Sequence, residues 1–142
     1  MPRTNYKTSN FDIDLDFSKI YEQEVVDMFE NNGTIEVKAE RDKWKTTGNI
    51  AVELYRIYKD TDKKVYTGVT VSNARWWHIS FVLNRKTKRC ITMETEELKA
   101  LVIKFYKQDK YKIIPMGDFN SNFTTYGMLI PIPELMNLEN ID

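Results

Sequence analysis

Apolar and polar residues alternate with a period of two in residues 34–41 and again in residues 49–58. The first segment contains, in order, Ile35, Glu36, Val37, Lys38, Ala39 and Glu40. The second contains Ile50, Ala51, Val52, Glu53 and Leu54. Successive side chains of a strand point to opposite faces of its sheet, so we predict two strands, each with one apolar face and one face that carries charge. The polar stretch between them, which contains Gly48, predicts the turn of an antiparallel hairpin.

Two further segments have the spacing of apolar residues that is typical of amphipathic helices. The first helix is predicted from Ser18, a good N-cap, to about Asn32, with Gly33 as its C-terminal stop. The second is predicted from about Glu96 to Lys107. Each helix has an apolar stripe that can cover one face of a sheet.

The remaining apolar segments are short and bounded by turn residues. Residues 11–17 alternate and are predicted to be a strand-like lead-in, and Pro131 and Pro133 predict that the last strand lies at a sheet edge. Other strands are predicted at residues 65–71, 77–83, 89–93, 112–115 and 126–132. The expected fold class is α/β (α+β), with a central mixed, mostly antiparallel sheet flanked by two helices.

Composition narrows the class of protein. The chain has 142 residues and 42% hydrophobic residues, which predicts a single domain over residues 1–142 with a core of its own. Lys and Arg number 21, as do Asp and Glu, so there is no global positive field, and any binding of nucleic acid must come from a local patch.

The chain carries no sign of export or of a membrane span. Its first ten residues are polar, and its apolar runs are far shorter than the roughly 20 residues that a spanning helix needs. Cys90 is the only cysteine, which excludes an internal disulfide and suits a reducing cytosol. We expect a cytoplasmic protein with no membrane partner, and a buried, structural Cys90.

The charged faces of the two predicted hairpin strands could carry chemistry. Pairing would place Glu53 opposite Lys38, with Glu36 and Glu40 two residues to either side, and directly opposed Cβ atoms lie about 5 Å apart. Such a patch suits phosphodiester hydrolysis with Mg²⁺, or Mn²⁺ as a substitute, because Mg²⁺ is held by one or two carboxylates together with water and phosphate oxygens. The alternative interpretation is a solvated face whose opposite charges pair with each other.

The segment between these strands could bind nucleic acid. Basic residues beside an aromatic ring suit phosphate contacts and base stacking, and here they are Arg41, Lys43, Trp44 and Lys45. A solvated turn with a half-buried Trp44 is the alternative. His78, the only histidine, is interpreted as a structural residue that forms a hydrogen bond.

An ordered set of motifs resembles a group of phage-encoded proteins in the restriction-endonuclease-like PD-(D/E)XK superfamily. After a helix come Ile35-Glu36-Val37-Lys38, Thr47-Gly48-Asn49-Ile50-Ala51-Val52-Glu53, Thr67-Gly68-Val69 and Ala74-Arg75-Trp76-Trp77. Gly117-Asp118 and Ile130-Pro131-Ile132 also fit, so the resemblance extends from about Phe17 to Leu135.

This resemblance implies a metal-dependent DNA endonuclease acting in phage replication, recombination or host DNA breakdown, in the host cell cytoplasm. Glu36, implied as a metal ligand, and Lys38 match the Glu-x-Lys motif of the superfamily, and Glu24 would be the helix carboxylate. DNA is the implied partner and a homodimer is a possible assembly.

The order of the acidic ligands departs from the superfamily pattern, because no Pro-Asp strand precedes Glu36. Either Glu53 supplies the second metal ligand, or Glu40 or Asp42 does. A catalytically inactive nuclease-fold protein that binds DNA or another protein is the alternative function.

Overall fold

The computed structural model describes residues 8–30, 34–116 and 122–140. The helices are α1 (Thr8–Glu30), α2 (Lys43–Thr47) and α3 (Thr95–Lys107), with 3-10 turns at Gly68–Val71, Ile132–Met136 and Leu138–Asn140. The strands are β1 (Ile35–Arg41), β2 (Asn49–Tyr58), β3 (Lys64–Tyr66), β4 (Trp76–Leu83), β5 (Lys86–Glu94), β6 (Ile113–Pro115) and β7 (Phe123–Pro131). Gly33 and the Gly117-Asp118 motif lie outside the described residues.

The strands form two sheets rather than the single central sheet expected from the sequence. One sheet has the order β1-β4-β5, in which β1 runs parallel to β4 and β5 runs antiparallel to it. The other has the order β3-β2-β7-β6 and is antiparallel throughout. The predicted α+β class is confirmed. β7 lies inside its sheet, so the prediction of an edge position is wrong. Pro131 is tolerated because β6 pairs only with residues 126–128, so that, among the described strands, this end of β7 pairs with β2 alone.

The predicted hairpin between β1 and β2 is wrong, because the two strands belong to different sheets. The chain leaves β1 through α2, and its backbone is fixed to the end of β4: the amide of Asp42 donates to the carbonyl of Val82 at 2.8 Å. The indole Nε1 of Trp44 donates to the same carbonyl, also at 2.8 Å. After α2, Gly48 adopts a left-handed conformation with φ of 72° and starts β2 in a new direction.

A hydrophobic core joins both sheets to α3. The helix buries Leu98, Leu101, Val102 and Phe105, at the spacing that its sequence predicts. These side chains form one cluster with residues of both sheets, including Ile50, Val52, Leu54, Trp77, Ile79, Phe81, Met128 and Ile130.

The two faces of β1 are used in the opposite way to an ordinary half-buried strand. Glu36, Lys38 and Glu40 are in register with Trp77, Ile79 and Phe81 of β4, and residues in register have their side chains on the same face. The charged face of β1 therefore lies on the core side of the sheet. On its other face Val37 is 58% exposed, although His78, its partner in register on β4, packs against Phe29 of α1.

Helix α1 begins ten residues before the predicted start, so the expected strand-like lead-in at residues 11–17 is wrong. Of its residues from 17 onward, Glu24 and Met28 are partly buried and the rest are exposed. The exposed apolar side chains are Phe17, Ile20, Tyr21, Val25, Val26 and Phe29. No helix in the described part of the chain is long and apolar enough to cross a membrane.

Two single-residue predictions have opposite outcomes. His78 is buried, its Nδ1 lies 2.6 Å from the Thr92 hydroxyl and its ring meets Phe29 edge to face, which confirms a structural role. Cys90, expected to be buried, is exposed on β5. β5 pairs only with β4 among the described strands, so its solvent-facing side chains have no second layer over them.

Two glycines with the same conformation make a matched test of how closely the 3-10 turn at Gly68–Val71 approaches β2. Gly68 has φ of 70°, and a Cβ there would lie 2.2 Å from the Glu53 carbonyl oxygen; at Gly48, with φ of 72°, a Cβ would meet nothing within 4 Å. The left-handed conformation costs an alanine about 1–2 kcal/mol at either position. We expect Gly68→Ala to lower the free energy of unfolding in urea by clearly more than Gly48→Ala does. Equal losses would contradict the close contact at Gly68.

Candidate functional site

A cleft of about 210 Å³ opens where β1 of one sheet faces β2 of the other. It is lined by Lys38, Ala39 and Glu40 from β1, Ala51 and Glu53 from β2, and Gly68, Trp77, Ile79 and Met116, together with Ile50 and Val52. Three of the four residues predicted to share a patch, Lys38, Glu40 and Glu53, therefore meet in this cleft. They meet because the two sheets face each other there, and not through strand pairing.

Lys38 forms an ion pair with Glu36, which lies two residues earlier on the same face of β1. Its Nζ lies 3.0 Å from Glu36 Oε1 and 5.6 Å from the centre of the Trp77 ring. The two side chains are 50% and 43% exposed, and ion pairs this exposed contribute little to stability. Lys38 is thus held at the mouth of the cleft by a contact that a phosphate can replace.

Glu40 lies deeper than Lys38 and connects the two sheets. Its Oε1 accepts a hydrogen bond from the backbone N–H of Ala51 at 3.1 Å. Burial raises the pKa of the Glu40 carboxyl above its ordinary value, and the hydrogen bond from Ala51 opposes this shift in part. The result is a carboxylate more basic than one on the surface.

The position of Glu53 is set by two glycines that lie close to it. Gly68 packs against the Glu53 carbonyl and Cβ, where any side chain at Gly68 would collide. Across the sheet, Glu53 is in register with Gly127, whose missing side chain leaves the space that Met116 fills. These contacts fix the backbone of Glu53, which is one of the residues that line the cleft.

A β-bulge follows directly after Glu53. The register of β2 on β7 shifts between Glu53 and Tyr55, so Leu54 is an extra residue without a partner. Alternation then restarts, which places Arg56 on the same face as Glu53 although the two are three residues apart. Sequence reasoning missed Arg56 because regular alternation assigns it to the opposite face, and nothing in the local sequence marks the bulge.

The residues predicted to bind nucleic acid lie beside the cleft and differ in how exposed they are. Arg41, Lys43 and Lys45 are exposed. Trp44 is half-buried: besides its hydrogen bond to Val82, its ring meets Phe81 edge to face at 5.3 Å. Trp44 therefore anchors α2 in the structure, and its predicted role in base stacking has to compete with that packing.

Asp42 and Glu24, two predicted acidic ligands, are not among the residues that line the cleft. The Asp42 carboxylate accepts a hydrogen bond from the backbone N–H of Asn84 at 3.0 Å, which ties the start of α2 to the turn after β4. Glu24 lines a separate cavity of about 220 Å³, together with Asp27, Arg75 and other residues of α1 and β4.

The donor set of the cleft fits a cation held by few protein ligands. In the described ranges, no three or more Asp, Glu, His or Cys side chains come together as a metal cluster. Two carboxylates, Glu40 and Glu53, line the cleft. Mg²⁺ commonly uses one or two carboxylates and completes its shell with water and phosphate oxygens, so this pair suits a site that is finished by its substrate.

Comparisons with known proteins add no relative: no protein-family model, no curated protein and no solved structure matches this chain.

The raised pKa of Glu40 predicts how stability changes with pH. The folded protein holds the Glu40 proton more tightly than the unfolded chain does, so stability should decrease as the pH rises from the ordinary value of 4.5 through the raised pKa. Glutamine keeps an oxygen for the Ala51 amide and has no charge to bury. We expect Glu40→Gln to lack this decrease and to be at least as stable as wild type near pH 7, by urea unfolding across this range.

Glu139→Gln is the control, because Glu139 is exposed on the C-terminal 3-10 turn. It should retain the wild-type pH dependence. A Glu40→Gln variant that is less stable than wild type near neutral pH would contradict the assignment of burial as the cause.

Proposed function

We propose that this chain is a metal-dependent DNA endonuclease whose active site is the cleft between β1 and β2. The observation that carries the proposal is the inverted orientation of β1, which turns Glu36, Lys38 and Glu40 to the core side while Val37 is open to solvent. A strand that only supported the fold would bury Val37 and expose the charges. Departures from local rules of this kind are typical of functional sites.

In this proposal Glu40 and Glu53 hold Mg²⁺, or Mn²⁺ in its place. The bound ion would supply Lewis-acid chemistry at the scissile phosphate. Glu40 Oε1 accepts the hydrogen bond from Ala51, and Oε2 is the oxygen proposed for this role. The resemblance of residues 35–53 to a nuclease motif supports a metal site on these strands, although it implies Glu36 as a ligand where this proposal has Glu40.

Lys38 is the residue proposed to act on the phosphate itself. As a compact ammonium at the mouth of the cleft, it can bind a non-bridging oxygen and stabilise the charge that develops when water attacks phosphorus. Glu36 holds Lys38 in place before substrate binds. Glu36 acts through Lys38 in this description and is a positioning residue.

A second function, DNA binding without cleavage, is favoured by one observation. Glu40 uses Oε1 to bond the Ala51 amide, and no cluster of three metal-ligating side chains is found in the described residues. If Glu40 serves only to join the sheets, the cleft has a single free carboxylate and the protein binds DNA without cutting it. A homodimer remains part of the proposal, and light scattering of the purified chain tests it.

Two variants separate metal binding from chemistry. Glu53→Gln should remove most of the rise in melting temperature that millimolar Mg²⁺ or Mn²⁺ gives to wild type, together with cleavage, because a ligand is lost. Lys38→Ala should keep the rise in melting temperature but cut about 10²–10³-fold more slowly, because a charge on the transition state is left without its partner. Melting curves and cleavage of single-stranded, duplex and branched DNA measure both.

Glu139→Gln and Lys88→Ala, both at exposed positions, are the controls for these variants. They should behave as wild type. If wild type gains no stability from metal and cuts no form of DNA, the endonuclease proposal is refuted. The second function, DNA binding without cleavage, then takes its place.

The basic residues beside the cleft predict a salt effect. Replacing Arg41, Lys43 and Lys45 together by Ala should weaken DNA binding and flatten the plot of log affinity against log salt, because fewer counterions are released. The matched control replaces Lys86, Lys88 and Arg89 on β5 by Ala. These residues are exposed, and their replacement removes the same amount of positive charge. Equal slopes for the two triple variants would show that α2 lies off the DNA path.

A further inference from the structure

The face of β2 that carries Glu53 continues beyond the bulge into a group of aromatic and basic side chains. After the bulge, Arg56 and Tyr58 share the face of Glu53, and Tyr58 is in register with Phe123 of β7. The two rings meet edge to face, with centres 5.6 Å apart. This group, Arg56, Tyr58 and Phe123, lies on the same sheet as Glu53 and extends along the strand away from α2.

The Arg56 side chain packs against an aromatic ring, but one of its hydrogen-bond donors has no acceptor among the described residues. Its guanidinium carbon lies 4.3 Å from the centre of the Phe123 ring, within the range of a cation–π contact. Its Nε is buried and has no hydrogen-bond partner among the residues that the structure describes. A buried donor without an acceptor is costly, and a planar guanidinium fork matches a phosphate in two hydrogen bonds.

Space for a ligand lies next to these side chains. Tyr58, Lys59, Asp60 and Asn122 line an open cavity of about 520 Å³. It stands at the far end of β2 from α2, so a bound chain that crosses the cleft would reach it by following the strand. Aromatic side chains that flank a phosphate-binding group along such a path are typical of surfaces on which successive bases stack.

We propose that Arg56, Tyr58 and Phe123 form a subsite for an unpaired nucleotide, in which Arg56 binds a phosphate beyond the scissile one and the rings take up its base. The inference rests on the proposed function, since it names the substrate class of the same site. Bases of a duplex are stacked on each other and covered by their backbones, so the rings can reach only a base that is unpaired. The substrate is therefore single-stranded DNA, or DNA with a single-stranded segment.

The experiment measures DNA binding without metal, so that cleavage does not enter. Labelled single-stranded and duplex oligonucleotides are titrated with the whole chain in excess EDTA, and fluorescence anisotropy gives the two affinities. Wild type should bind the single strand more tightly. Tyr58→Ala should lose about tenfold or more of that affinity, because stacking of one base accounts for such a change, while its affinity for duplex should scarcely change.

Arg56→Lys tests the phosphate contact while keeping the charge, and it should weaken single-strand binding because lysine has no planar fork. Tyr66→Ala and Arg89→Lys are the controls: Tyr66 is 50% exposed on the opposite face of the sheet, and Arg89 is exposed on β5. Melting curves confirm that each variant folds, and Tyr58→Leu replaces Tyr58→Ala if the alanine variant does not.

The outcomes separate this inference from the proposed function. If wild type cuts DNA but binds duplex as tightly as single strand, or if Tyr58→Ala and Tyr66→Ala bind alike, the subsite is refuted while the endonuclease stands. If no DNA is cut in Mg²⁺ but the preference for single strand is present and is lost in Tyr58→Ala, the subsite stands and the endonuclease is refuted.

Discussion

A hydrogen bond from the Ala51 amide to the Glu40 carboxylate joins the two sheets at the candidate site, and the site depends on it. β2 is paired with β7 along one edge. On the other edge, the amide of Ala51 needs an acceptor, since an unpaired buried N–H costs about 1–3 kcal/mol. Glu40 supplies that acceptor and is itself partly desolvated in doing so. The same contact therefore holds the sheets at a fixed distance and makes one carboxylate of the cleft more basic.

The cleft also shows how a small domain can place charge next to its core. Lys38 and Glu40 are in register with Ile79 and Phe81, which are buried, yet their own strand lies at the edge of its sheet. An edge strand lets long polar side chains turn toward solvent at the mouth while their stems contact apolar neighbours. The cleft therefore has apolar residues of the core along one wall and charged side chains at its mouth.

The sequence predicts the positions of the helices and strands better than it predicts which strands pair with each other. The sequence predicts β2 with its observed ends, because its first half alternates regularly, and α3 to within one residue, because its helical spacing is regular. Alternation shows which side chains share a face and leaves open which strand lies alongside, so β1 was paired with its neighbour in sequence instead of with β4. Lys38, Glu40 and Glu53 nevertheless meet, by a different route. Arg56 could not be found in advance, because a bulge is a departure from the very pattern that sequence reasoning uses.

The parallel pairing of β1 with β4 has a consequence for how the molecule is made. The connection from Arg41 to Trp76 contains α2, β2 and β3, so β1 leaves the ribosome long before the strand that it pairs with. Pairings between distant segments are slow because a long loop must close first. During synthesis the β1 segment is therefore without its partner strand. The charges of Glu36, Lys38 and Glu40 help to keep this unpaired segment from associating with other nascent chains.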